Sequence, residues 1–227
     1  MYQFTTTERN NEKASEYETK SMLYLFGCRE DSQKMEVFII DCFNDVSGAD
    51  SNVQRIWDVQ SKGVKSLNPK KIGIALITLF QNYLSDIEFE HYIFFMPKLK
   101  VMYLNDESLK CYHVDNFKQQ YINKIKQGLK EEYQRRNRSI PVDDDIDNFV
   151  ESVEFVIAED GKKGYIKNIT RFKSNSILDD EFYDSLFDEI RDQQTILKTE
   201  NINDYEIWKI YILAFFREVI KLYFENG

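Results

Sequence analysis

Two aspartates, Asp41 and Asp45, precede a stretch rich in turn-forming residues, and the run WDVQSK that follows carries Gln60 and Lys62 two positions apart. These residue types suit phosphodiester hydrolysis. The negative oxygens of a phosphodiester repel a nucleophile, and the leaving alkoxide is poor. A hard divalent cation, Mg²⁺ or Mn²⁺, held by carboxylate and carbonyl oxygens offsets that charge, and a nearby lysine amine stabilises what develops in the transition state. Two antiparallel strands set an Asp of one beside the side chains of the other, and residues 60 and 62 of an extended chain share a face. No other part of the sequence points to a definite reaction.

The elements that must position these residues follow from periodicity. A helix is predicted from about Asn11 to Cys28, with Ala14, Glu18, Met22 and Leu25 on one stripe. MEVFIID has the length and composition of a strand, and NDVSGADSN reads as a turn throughout. VQRIWDVQSK alternates, placing Ile56, Asp58, Gln60 and Lys62 on one face and Arg55, Trp57, Val59 and Ser61 on the other. Asn68 as N-cap and Pro69 at the first helical position open the apolar run IGIALITLFQNYL. HYIFFMP is expected to be a buried strand and LKVMYL another. Residues 115–137 form a polar helix interrupted by Gly128. DNFVESVEFVI is compatible with helix running into strand, and EFYDSLFDEIRDQQ and YEIWKIYILAFFREVIKLYF with two further helices.

A chain of 227 residues with 42% hydrophobic and 15% aromatic content can bury one substantial core. No segment has the length and apolarity of a membrane span, and the first residues lack a signal peptide's apolar centre, so a cytoplasmic protein is expected. Cys28, Cys42 and Cys111 are odd in number, contain no CxxC pair, and read as reduced thiols. The net charge of −9 argues against passive coating of nucleic acid, yet it is unevenly spread. Val59 to Ser85 contains no acid, while Lys62, Lys65, Lys70 and Lys71 supply positive charge; Lys65, Lys70 and Lys71 are candidate phosphate contacts. Lys118 to Arg138 holds seven basic residues against Glu131 and Glu132, and Pro141 to Asp160 holds eight acids and no base.

The order helix, Asp before a turn, Gln-x-Lys strand, helix, strand resembles the PD-(D/E)xK nuclease superfamily in the variant where Gln replaces the acidic residue. FNDVSGAD, IWDVQSKGVKSLNPKKIG, DNFVESVEFVIAED and SLFDEIRDQQ are similar to the bacterial anti-phage endonuclease domain of CD-NTase-associated effectors and to the Lamassu nuclease subunit. The resemblance covers most of the chain, most closely residues 35–100. It implies an α/β, restriction-endonuclease-like mixed central sheet flanked by helices, with a nuclease core over 1–140 and a mainly helical extension over 141–227 for oligomer or partner contact. It also implies degradation of double-stranded DNA under the control of an SMC-like or other sensor subunit, or by homo-oligomerisation. Lys62 matches the family lysine and Gln60 the variant second position. Asp45 is the first choice for the metal aspartate, with Asp41 or Asp50 as alternatives, and Glu18 matches the acid of the first helix. The neutral Gln60 would hold a cation more weakly than Glu, which fits an enzyme assembled only when triggered.

Each residue has a plainer reading. Asp50 is what any turn would use, Glu18 can sit at the edge of a buried stripe, Asp58 can pair with a surface base, and Lys62 can be an ordinary strand-end charge. An interaction subunit that kept the nuclease fold without efficient catalysis is the alternative, and an RNA-directed toxin a third reading.

Overall fold

In the computed structural model, residues 12–64, 66–137, 139–158, 161–170 and 180–199 are described. The apolar stripe of the first helix, α1 (Glu12–Gly27), buries Met22, Leu23 and Leu25. Strand β1 (Val37–Ile40) follows. NDVSGADSN, expected to be a turn, instead contains strand β2 (Val46–Ala49), which pairs antiparallel with β1 and with β3 (Ile56–Ser61). Small residues suit the place: a Cβ on Gly48, which pairs with Phe38 and Trp57, would lie 2.6 Å from the sulfur of Met35, and that side chain would have to shift. Packing therefore overrides the turn-like composition. The true turns flank β2. In the first, the N–H of Asp41 donates to the carbonyl of Asp45 at 3.3 Å. In the second, Asp50 Oδ1 accepts from the N–H groups of Gln54 (2.7 Å) and Arg55 (3.2 Å).

The side chain of Asn68 accepts from the N–H of Lys71 at 3.0 Å and Pro69 opens the helix, as expected. The helix divides at Leu76 into α2 (Pro69–Ala75) and α3 (Ile77–Tyr83) before strand β4 (His91–Met96), which lies parallel to β3. LKVMYL is not a strand; Val101–Tyr103 form a short 3₁₀ helix, and Leu104 makes an isolated bridge to Phe117. The remaining elements are β5 (Cys111–Tyr112), α4 (Gln119–Asn137), α5 (Asp143–Ser152), β6 (Val153–Ile157), α6 (Lys162–Thr170) and α7 (Asp180–Thr199). Helix α4 runs unbroken through Gly128. The C-terminal run YEIWKIYILAFFREVIKLYF lies outside the described residues.

The strands form one six-stranded mixed sheet in the order β1-β2-β3-β4-β6-β5. This corrects the boundary expected at residue 140: β6 is inserted between β4 and β5, parallel to β4, and Phe149 and Val150 of α5 sit in the same core as Phe80 and Phe94. Helices α2 to α5 cover one face through Ile72, Phe80, Phe94, Ile125 and Phe155. Helices α1, α6 and α7 cover the other through Leu23, Trp57, Val59, Phe95, Ile166 and Phe187. All six residues of β3 are buried, because a strand between two helical layers has no solvent face. Among the described residues, no helix is long and apolar enough to cross a membrane.

Candidate active site

The β2–β3 ladder fixes which polar side chains meet. Val46 pairs with Val59 and Ser47 with Asp58, so one step further sets Asp45 opposite Gln60. The side chains are in contact: Gln60 Nε2 donates to Asp45 Oδ2 at 2.6 Å. The same carboxylate oxygen accepts from the Ser61 N–H at 2.7 Å and the Ser61 hydroxyl at 2.8 Å. On its other side the Gln60 amide oxygen accepts from the Thr78 hydroxyl of α3 at 2.6 Å. Lys62 follows directly, half-buried, its N–H still in the ladder with the carbonyl of Phe95 at 2.9 Å. Asp45 and Gln60 therefore meet near the end of β3, and Lys62 is the second residue after Gln60 along the chain.

The other expected residues are distributed differently. Asp41 is exposed on the β1–β2 turn, in the left-handed region with φ 55°. Asp50 lies at the opposite end of β2 from Asp45, about 16 Å away along an extended chain, where it caps its own turn. Glu18 is half-buried on α1, which packs over Trp57 and Val59, whereas Gln60 faces α3. Among the described residues, no three His, Cys, Asp or Glu side chains converge as a metal-holding group. Lys70 pairs with Glu131 at 2.7 Å, Lys71 is exposed at the start of α2, and Lys65 is outside the described residues. Ser61 and Thr78 escaped the sequence reading. Thr78 and Asn82 are polar residues four apart in the apolar run ITLFQNY, a spacing that puts both on one helix face; in the fold that face meets β3.

Behind this edge lies a buried polar layer. Asp58 is fully buried and, among the described residues, pairs with no base; it accepts from Asn44 Nδ2 (2.5 Å), Asn82 Nδ2 (2.6 Å) and the Ser47 hydroxyl (3.1 Å). Burial pushes its carboxyl up from 3.8 to about 7, opposed by those three donors and reinforced by the charge of Asp45. Between these two values the folded state keeps a proton that the unfolded chain has lost, so stability falls as pH rises through that window. The loss amounts to about 4 kcal/mol at most, from roughly three pH units of displaced ionisation. Urea unfolding of the wild type at pH 5 and pH 8 is expected to show this decline. Asp58→Asn, whose amide oxygen still accepts from Asn82, should lose most of it.

A second charged network closes the other end of the parallel strands. Arg29 bridges Asp31 (2.7 Å) and Glu154 (2.6 Å), and His91 contacts Glu154 at 2.5 Å while stacking on Trp57. Burial alone would raise Asp31 and Glu154. Hydrogen bonds from Arg29 and Trp57 to Asp31, and from His91 and Arg29 to Glu154, outweigh it and hold both at about 2. Every carboxylate here has a donor, and the network ties α1's end to β3, β4 and β6; its role is structural. The basic run of α4 is partly neutralised as well, since Lys126 and Lys130 pair with Asp147 and Asp143 of α5 at 2.8 and 2.5 Å. The acidic stretch thus folds back onto the basic one. A comparison with protein-family models, curated proteins and solved structures returns no match.

Proposed function

We propose that this chain is a metal-dependent DNA endonuclease of the PD-(D/E)xK type in its Gln-x-Lys form, the effector of a bacterial anti-phage defence system. The observation that carries the reading is the contact of Asp45 with Gln60 across β2 and β3, with Lys62 next along the strand. Support for a restriction-endonuclease-like fold comes from the order α1, an antiparallel β1-β2-β3 meander, α2 and α3, then β4 parallel to β3.

The donor set fits a hard cation only in part supplied by protein. Asp45 offers a carboxylate and Gln60 an amide oxygen, and Mg²⁺ commonly takes one or two carboxylates and completes its shell with substrate phosphates. A cation bound there would supply positive charge against the phosphate oxygens. The chain's own residues prepare the place. Ser61, through its N–H and hydroxyl, holds one oxygen of Asp45 and so fixes the carboxylate's direction. The Gln60 amide now turns its oxygen to Thr78 and its nitrogen to Asp45. Rotating that amide by half a turn exchanges the partners, and the Thr78 hydroxyl, both donor and acceptor, accommodates either orientation. Lys62 contributes a cationic donor for a phosphate oxygen or the attacking water. The resting orientation suits an effector held inactive until a sensor subunit, SMC-like or otherwise, or further copies of the chain engage it in the cytoplasm.

Purified protein is expected to cut plasmid DNA with Mg²⁺ or Mn²⁺, alone or with the products of neighbouring genes. Lys62→Ala should lower the rate about 100-fold or more, the usual loss when one transition-state donor is removed. Lys34→Ala, at an exposed position before β1, should retain it. Equal cleavage by wild type and Lys62→Ala would sink the assignment. The second reading, a nuclease-fold interaction subunit without catalysis, draws on the neutral Gln60 and the absence of a three-group metal cluster among the described residues. It requires that no cation or companion elicits cleavage.

A further inference from the structure

We infer that the groove between α2, α4 and the 3₁₀ turn after β4 is a binding subsite for the phosphate backbone of duplex DNA, feeding the edge where Asp45 and Lys62 lie. The inference rests on the nuclease reading and adds where the substrate is held. The groove has a volume of about 340 Å³ and is lined by Asn68, Lys70, Tyr103, Tyr121, Lys124 and Gln127, together with Pro69. No carboxylate is among the lining residues, in a chain of net charge −9.

Its position follows from topology. Strands β3 and β4 are parallel and in register, Ser61 opposite Phe95, so both end at the same edge of the sheet. Asn68 and Lys70 belong to the segment leaving β3, and Tyr103 to the segment leaving β4. Asn68 lies six positions after Lys62 in the chain, a reach of at most about 20 Å. That corresponds to roughly six base pairs along a duplex, at about 3.4 Å each.

The groove's chemistry suits a polyanion. The Lys124 ammonium lies 5.5 Å from the centroid of the Tyr121 ring, which in turn packs edge-on to Tyr103 at 4.8 Å. The aromatic floor directs this amine while leaving its charge available. Among the described residues Lys70 is engaged by Glu131, and both side chains are nearly half exposed, so a phosphate can compete for it. Gln127, which donates to Glu131 at 2.8 Å, and Asn68 add neutral polar groups. The larger groove of about 720 Å³ beside His113 is different: it mixes Lys118 and Lys126 with Asp115 and Glu151 and has no preference for an anion.

The test is fluorescence anisotropy with a labelled 30-base-pair duplex in EDTA, measured across a salt series. Lys70→Gln/Lys124→Gln, which keeps much of each side-chain stem, and Lys70→Glu/Lys124→Glu are compared with Lys34→Glu/Arg55→Glu, an equal charge change at exposed sites elsewhere. The groove variants should weaken binding about tenfold or more and reduce the slope of log affinity against log salt by about 2, one for each phosphate no longer neutralised. Thermal unfolding of each variant checks that it remains folded. Equal weakening by groove and control variants, no duplex binding by the wild type, or a preference for RNA of the same length overturns the inference. Plasmid cleavage run in parallel separates the two proposals. Groove-dependent binding without cation-dependent cutting would leave the subsite standing and remove the nuclease reading; Lys62-dependent cutting unaffected by the groove variants would do the reverse.

Discussion

Replacing Gly128 with alanine should destabilise the protein by about 3 kcal/mol or more, although the same change in an exposed helix interior stabilises by up to about 1 kcal/mol. The reversal has a geometric origin. Helices α2 and α4 cross so closely that a Cβ on Gly128 would lie 2.2 Å from the carbonyl oxygen of Lys70, and one on Gly73 would lie 1.9 Å from the carbonyl oxygen of Ile125. Both obstacles are backbone, so neither can rotate away. The helices must separate, which opens the core around Ile72, Ile125 and Leu129. Against a typical total of about 5–15 kcal/mol, Gly128→Leu should leave little folded protein at all. Urea midpoints for Gly128→Ala and Gly73→Ala measure the effect, and a stabilisation at either position would refute the close crossing.

Gln60→Glu should make folding stability depend on divalent cation where the wild type is nearly indifferent. Glutamate has the same shape as glutamine, but it replaces the Nε2 donor, 2.6 Å from Asp45 Oδ2, with a carboxylate oxygen. Gln60 is 5% exposed, so two carboxylates would face each other with little water between them. Without cation the cost is expected to be about 2–4 kcal/mol, or a proton retained on the pair near neutral pH. With Mg²⁺ or Mn²⁺ at about 100 times Kd, binding returns about 2.7 kcal/mol. Thermal unfolding with EDTA and with each cation reads this directly. A Gln60→Glu protein whose melting temperature ignores both would show that residues 45 and 60 do not share a cation position.

Much of the site's frame was legible because local signals and tertiary demands agree there. The stripe of Met22 and Leu25, the alternation through WDVQSK and the Asn68–Pro69 helix start each name one element, and the structure places α1, β3 and α2 accordingly. The pairing of Gln60 with Lys62 on one strand needs only the two-residue repeat. Local composition misled where a residue serves a distant neighbour. VSGA reads as turn because glycine and serine are small, and in the fold that smallness makes room for Met35. Gly128 reads as a helix interruption, and its missing side chain instead admits the backbone of α2. VEFVI, assigned to an extension, is an interior strand.

Periodicity and capping are local properties, and they were enough to define α1, β3 and the start of α2. The sequence also determined that an aspartate, a glutamine and a lysine stand close in the chain. The assembled fold is what creates β2, brings Asp45 rather than Asp50 to Gln60, and encloses Asp58 among Asn44, Ser47 and Asn82. Those outcomes depend on strand register and helix crossing. Both are set by the fit of side chains far apart in sequence, which no window along the chain contains.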